Sequence, residues 1–209
     1  MVQRYTVFLN EKTVLIGQDM NLHETMPDEM VLHYTDKASL LKAYKRFYLD
    51  EDCLKLIIKT NTNFPEACKF FNEMFTRIEA AGGIVRNQKE EYLFIKRLGV
   101  WDLPKGKLHK KEPVQAGALR EVTEETGLAN LTIAKQLPST YHIYTDRKGK
   151  EILKETYWFE MFCKEDQKLV PQLEEDITEV RWFSAGELNI PLNNTYASLR
   201  LLLESYLKD

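Results

Sequence analysis

Three glutamates, Glu121, Glu124 and Glu125, follow one another at i, i+3 and i+4. In a helix that spacing puts three carboxylates on one face. Like charges so placed repel unless a cation neutralises them, and a hard divalent cation that prefers oxygen ligands does this well. Arg120 can reach Glu124 on the next turn and hold its carboxylate. Taken alone, the EVTEE segment is better explained as a solvated acidic face with ordinary i, i+4 pairs. The ends of the helix are legible: Pro113 suits a first turn and Gly127 a left-handed C-terminal cap. Val114, Ala118 and Val122 form a stripe that can pack on a sheet.

The full stretch from Gly106 to Leu128, GKLHKKEPVQAGALREVTEETGL, resembles the Nudix box. That box is Gly, five residues, Glu, seven residues, Arg-Glu, an aliphatic, any residue, Glu-Glu, any residue, Gly and an aliphatic. Every position matches, from Gly106 and Glu112 through Arg120, Glu121, Val122, Glu124, Glu125, Gly127 and Leu128. The resemblance implies an α/β fold, a Nudix-type α/β/α sandwich with a mixed sheet, over roughly residues 80–208. It implies that Glu121, Glu124 and Glu125 bind catalytic Mg²⁺ or Mn²⁺, with the Gly106 carbonyl contributing. It also implies that Arg120 orients the glutamates and that Glu112 helps fix the loop–helix–loop. Metals in that family polarise phosphate oxygens and activate a water for attack on phosphorus. The general base varies among its members. Here it is either Glu121 or a carboxylate of the later run Glu174-Glu175-Asp176, where Glu175 is favoured; the run also fits a plain solvated loop.

Positive charge surrounds the start of the box at Lys105, Lys107, His109, Lys110 and Lys111. Lys105 and Lys107 flank Gly106 and are the better candidates to contact a polyphosphate; a solubilising loop is the alternative. The string WDLPKGKL resembles the Trp-Asp-Phe-Pro-Lys-Gly stretch of diadenosine polyphosphate hydrolases, which carry a tyrosine some sixteen to eighteen residues past the box. Tyr144 lies sixteen past Leu128. Its ring could stack on a base for roughly 1–3 kcal/mol, or simply fill a core. The expected activity is metal-dependent hydrolysis of a diphosphate linkage in a nucleoside diphosphate-type substrate, such as a dinucleoside polyphosphate. Diphosphoinositol polyphosphate and 5′-RNA pyrophosphohydrolase activities share the box, and a ligand-sensing Nudix-fold regulator is the non-enzyme alternative.

The remaining residues supply the scaffold. Residues 5–9 and 13–16 read as a hairpin, 30–34 as a strand and 36–48 as a helix capped by Asp36. A strand at 54–59 and a helix from Phe64 to Ile78 complete a small α/β unit of unknown role over residues 1–78, open to a homodimerisation role. The second domain is expected to span 79–209. Its strands are at 81–85, 92–95, 131–136, 139–145, 155–163 and 179–183, with helices at 113–126 and 196–207.

With 209 residues, 44% of them hydrophobic, the chain can build ordinary cores. A formal net charge of −3 argues against a general nucleic-acid coat but leaves room for a local basic pocket. Three scattered cysteines give no disulfide framework and no Cys-type zinc site. The polar N-terminus and the lack of a long apolar run lead to the expectation of a cytoplasmic protein without a membrane partner.

Overall fold

The computed structural model describes residues 3–18, 26–164 and 167–208. Contacts divide the chain into two compact units. One combines Met1–Arg77 with Tyr141–Lys154, and the other combines Ile78–Thr140 with Glu155–Asp209.

The first unit starts with an antiparallel hairpin, β1 (Arg4–Leu9) and β2 (Lys12–Gln18), in register from Arg4↔Gly17 to Leu9↔Lys12. Asn10 takes the positive φ of the tight turn. Strand β4 (Lys55–Thr60) pairs parallel with both β2 and β3 (Glu29–His33). The run Leu56-Ile57-Ile58 is fully buried, as a strand covered on both faces requires. Helix α1 (Lys37–Leu49) starts at Asp36, which forms a reciprocal capping box with Ser39. Its Leu40, Tyr44 and Phe47 join Val14, Ile16, Leu56 and Phe71 in the core.

Helix α2 (Phe64–Glu73) ends earlier than expected. The anticipated helix to Ile78 is corrected: Thr76 opens the twelve-residue strand β5 (Thr76–Asn87). The β-branched Thr76 and Ile78 suit a pleated ladder, and sheet pairing overrides the helical spacing that extends past Glu73. The strands expected at 131–136 and 139–145 are likewise one strand, β9 (Leu131–Thr145), which runs through Pro138. Pro138 lacks a donor but is exposed, and the parallel pairing of β9 with β1 covers Tyr141 and His142, beyond it.

The second unit orders its strands β11 (Ile177–Phe183), β6 (Tyr92–Arg97), β5, β10 (Glu151–Cys163), β9. Two short strands, β7 (Val100–Asp102) and β8 (Lys105–Lys107), pair with β6 and β5. Alternation along β5 and β10 sends side chains to opposite faces. Val85, Phe159 and Met161 meet Ala118 and Val122 of α3 (Val114–Thr126). Ile84, Phe94 and Trp158 meet Leu199, Leu202 and Leu203 of the last helix, α5 (Ala197–Tyr206), which follows the short α4 (Asn189–Leu192). This is the α/β/α sandwich. Among the described residues, no helix is long and apolar enough to cross a membrane.

Gly127 ends α3 at φ 76°, and its N–H bonds to the Thr123 carbonyl. A Cβ there would lie 2.9 Å from the Cβ of Val170, whose N–H bonds to the Thr126 carbonyl. Gly127→Ala is therefore expected to destabilise the protein by about 1–2 kcal/mol from the left-handed backbone alone, and by more if Val170 must shift. Denaturant unfolding measures it; an unchanged midpoint would contradict this account of the cap.

Candidate functional site

The site is built where α3 meets β8. Strand β8 is fixed on β5 by Ala80↔Lys107, Ala81↔Gly106 and Gly82↔Lys105, and Leu108 N–H bonds to the Glu79 carbonyl. Ala118 and Val122, both fully buried, seat α3 on the sheet. The remaining faces of the helix carry the charged groups.

Arg120 is the hub. Its Nε donates to Glu112 Oε1 at 2.8 Å and its Nη2 to Glu112 Oε2 at 2.9 Å, a bidentate pair. Its Nη1 donates to Glu121 Oε1 at 2.7 Å and to Glu124 Oε2 at 2.9 Å. A last bond runs from Nη2 to the Lys107 carbonyl at 3.1 Å, so the guanidinium also holds β8. Glu112 takes a further bond from the His109 N–H at 2.9 Å, which closes the loop between β8 and α3. The carboxylates around Arg120 hold its guanidinium well above the usual range, with Glu112 the largest contributor, so it stays charged.

Glu121 points the other way with its second oxygen. A Cβ on Gly106 would fall 1.8 Å from Glu121 Oε2, so the Glu121 carboxylate lies directly against the Gly106 backbone. Glycine is required there by close approach rather than by φ. Glu125 is only 2% exposed and accepts the Lys105 N–H on Oε2 at 2.8 Å. Burial pushes its carboxyl up to about 7, against the pull of Lys105.

The structure thus brings Gly106, Glu112, Arg120, Glu121, Glu124, Glu125 and Gly127 onto one loop–helix segment. Among the described residues no three acidic, histidine or cysteine groups already converge as a cage for a metal. Glu121 and Glu124 each spend one oxygen on Arg120, and Glu125 spends one on Lys105. The donor chemistry nevertheless fits a hard divalent cation. It offers three carboxylates and a backbone carbonyl, all oxygen, with the Gly106–Glu121 contact already made.

The Lys105 ammonium turns onto Asp102 at 2.7 Å, and both side chains are largely buried. Burial disfavours its charge, but Asp102 and Glu125 outweigh that and keep it protonated. Lys107 is the exposed lysine of the pair. Glu175 sits in a short 3-10 turn (Leu173–Glu175) and pairs with Arg97 at 2.9 Å. Tyr144 belongs to the first unit, where it lines a cavity of about 710 Å³ with Lys12, Tyr48 and Leu54. Sequence reasoning assigned no role to Asp102 or Arg97. Asp102 stands inside the WDLPKG string, so a signal was present. Arg97 has none, because its partner comes from pairing between β6 and β11.

Arg120 and the His109 N–H hold the Glu112 carboxyl down to about 2. A depressed carboxyl adds stability that is complete above its ordinary value of 4.5 and is lost as the pH falls toward 2. In Arg120→Ala, Glu112 should titrate well above 2, toward its ordinary value of 4.5. An NMR titration of the Glu112 carboxyl checks this, and a midpoint that stays near 2 would show that Arg120 is not the cause.

Known proteins agree with this segment. The NUDIX domain family profile matches residues 76–203. Nudix hydrolase 8 of Arabidopsis thaliana is 41% identical over a stretch covering 22% of this chain; the chain spans about 15% of that relative's length. Among solved structures, the MutT protein of Methanosarcina mazei Go1 shares the fold, with a TM-score of 0.50 and 21% identity over 64% of this chain and 95% of that one. A C. elegans Ap4A hydrolase binary complex has a TM-score of 0.49 and 21% identity, covering 63% of this chain and 96% of that one. With a complete glutamate box on α3 and the family profile spanning most of the chain, the protein belongs to the Nudix hydrolase family.

Proposed function

We propose that residues 79–209 act as a metal-dependent pyrophosphohydrolase that cleaves a diphosphate linkage in a nucleoside diphosphate-type substrate, a dinucleoside polyphosphate being the leading candidate. The observation that carries this is the face made by Glu121, Glu124 and Glu125, with Glu121 packed against Gly106. These three carboxylates and the Gly106 carbonyl are the proposed holders of Mg²⁺ or Mn²⁺. When bound, such a cation draws charge from the phosphate oxygens and makes a nearby water more acidic.

The chain's own groups do the rest. Arg120 keeps Glu121 and Glu124 on one side of α3 while Glu112 anchors Arg120 in turn. Lys105, committed to Asp102 and Glu125, fixes the end of that face. Lys107, exposed beside Gly106, offers a positive charge to the polyphosphate. Glu175 is the proposed general base. It takes a proton from the attacking water as the water oxygen bonds to one phosphorus. The bridging P–O bond then breaks, and the electron pair leaves with the other phosphate. The WDLPKG string is the support for a dinucleoside polyphosphate within this class.

The test is a panel of diphosphate compounds, including diadenosine tetraphosphate and ADP-ribose, with Mg²⁺ or Mn²⁺. Hydrolysis at a P–O–P linkage is expected, and no cleavage of any member would refute the proposal. Glu124→Gln should lower kcat by roughly a hundredfold or more, as expected when several kcal/mol of transition-state stabilisation are removed, with an unchanged circular dichroism spectrum. Full activity in that variant would exclude a metal role for Glu124.

A further inference from the structure

We propose that Arg97 is a positioning residue that holds Glu175 in its working orientation, an inference that rests on Glu175 being the general base. Arg97 ends β6 and stands in register with Ile177, the first residue of β11. Only Asp176 separates Glu175 from β11, so strand pairing brings its turn back to the end of β6. The turn is tight: Glu175 N–H bonds to the Gln172 carbonyl, Asp176 N–H bonds to the Leu173 carbonyl, and Asp176 takes φ 59°. The Thr178 hydroxyl adds a bond to the Lys96 carbonyl. The closing contact is the ion pair from Arg97 Nη2 to Glu175 Oε2 at 2.9 Å.

Stability alone does not account for this pair. The Glu175 side chain is 51% exposed and that of Arg97 30%, and ion pairs so placed in water add little. Among the described residues, the buried Nε of Arg97 has no hydrogen-bond partner, a cost that calls for a reason. Its position supplies one. Arg97 pairs with Val100 in β7, the strand that ends in Asp102, the partner of Lys105. Arg97 thus ties the Glu175 turn to the strand pair that supports the Glu125 end of the carboxylate face. A carboxylate on a free turn would sample many orientations, whereas one held by a guanidinium keeps a single direction, as a base acting on a positioned water requires.

The experiment combines kinetics with amide hydrogen exchange on the full chain. With diadenosine tetraphosphate and Mg²⁺, Arg97→Ala should lower kcat about tenfold or more, with KM nearly unchanged, and Arg97→Lys should recover part of the loss. Glu175→Gln should lose at least as much, and adding Arg97→Ala to it should cost nothing further, because the two act as one unit. Amides 174–176 should exchange faster in Arg97→Ala, with no change in thermal stability. Unchanged kcat in Arg97→Ala, or losses that multiply in the double variant, would overturn the proposal. If Glu175→Gln is fully active, or this compound is not cleaved, the assignment of the base or of the substrate fails instead. The exchange measurement needs no substrate and then decides the anchoring: unchanged exchange at 174–176 in Arg97→Ala overturns it as well.

Discussion

One guanidinium faces three carboxylates. Arg120 gives two bonds to Glu112 and one each to Glu121 and Glu124, within 2.7–2.9 Å. Without it, the acidic groups of α3 would repel one another and the loop from Lys107 to Glu112 would lose its tie to the helix. With it, each carboxylate of the helix face keeps a defined direction. Arg120 spends its charge on Glu112 bidentately and shares a single nitrogen between Glu121 and Glu124. Glu112 is therefore held by two bonds, and Glu121 and Glu124 by one each, which leaves each of those two with an oxygen that Arg120 does not use.

The surrounding fold supports that arrangement from three directions. Ala118 and Val122 set the depth of α3 on the sheet. Gly127 and Val170 stop it at Thr126. Strand β8 brings the Gly106 backbone to Glu121, where no side chain other than glycine's would fit. At the buried end the problem is different. Glu125 is buried, and burial alone would favour its neutral form. Lys105 answers with an N–H bond and a charge, and Asp102 keeps that charge in place.

Local features were the most legible in the sequence. The α3 boundaries, the Arg120–Glu124 pair and the Asp36 cap all follow from residues within one or two turns of each other. What escaped depends on distant pairing. The helical spacing that runs past Glu73 could not reveal that Thr76 begins a ladder. Nothing near Tyr141–Lys154 announces that these residues cluster with the first unit. The turn of Lys105 onto Asp102 is a local i, i+3 contact, but the string alone does not say which way the ammonium points. Arg97 was silent because its partner comes through β11, some eighty residues away in sequence.

The central claim is that the α3 carboxylate face, shaped by Arg120 and Gly106, is a divalent-cation site. Counting bound Mn²⁺ by electron paramagnetic resonance tests it without any substrate. Wild-type protein should bind at least one Mn²⁺ per chain, and Glu121→Gln combined with Glu125→Gln should abolish that binding while the fold remains intact. Equal Mn²⁺ binding by the wild type and the folded double variant would contradict the account.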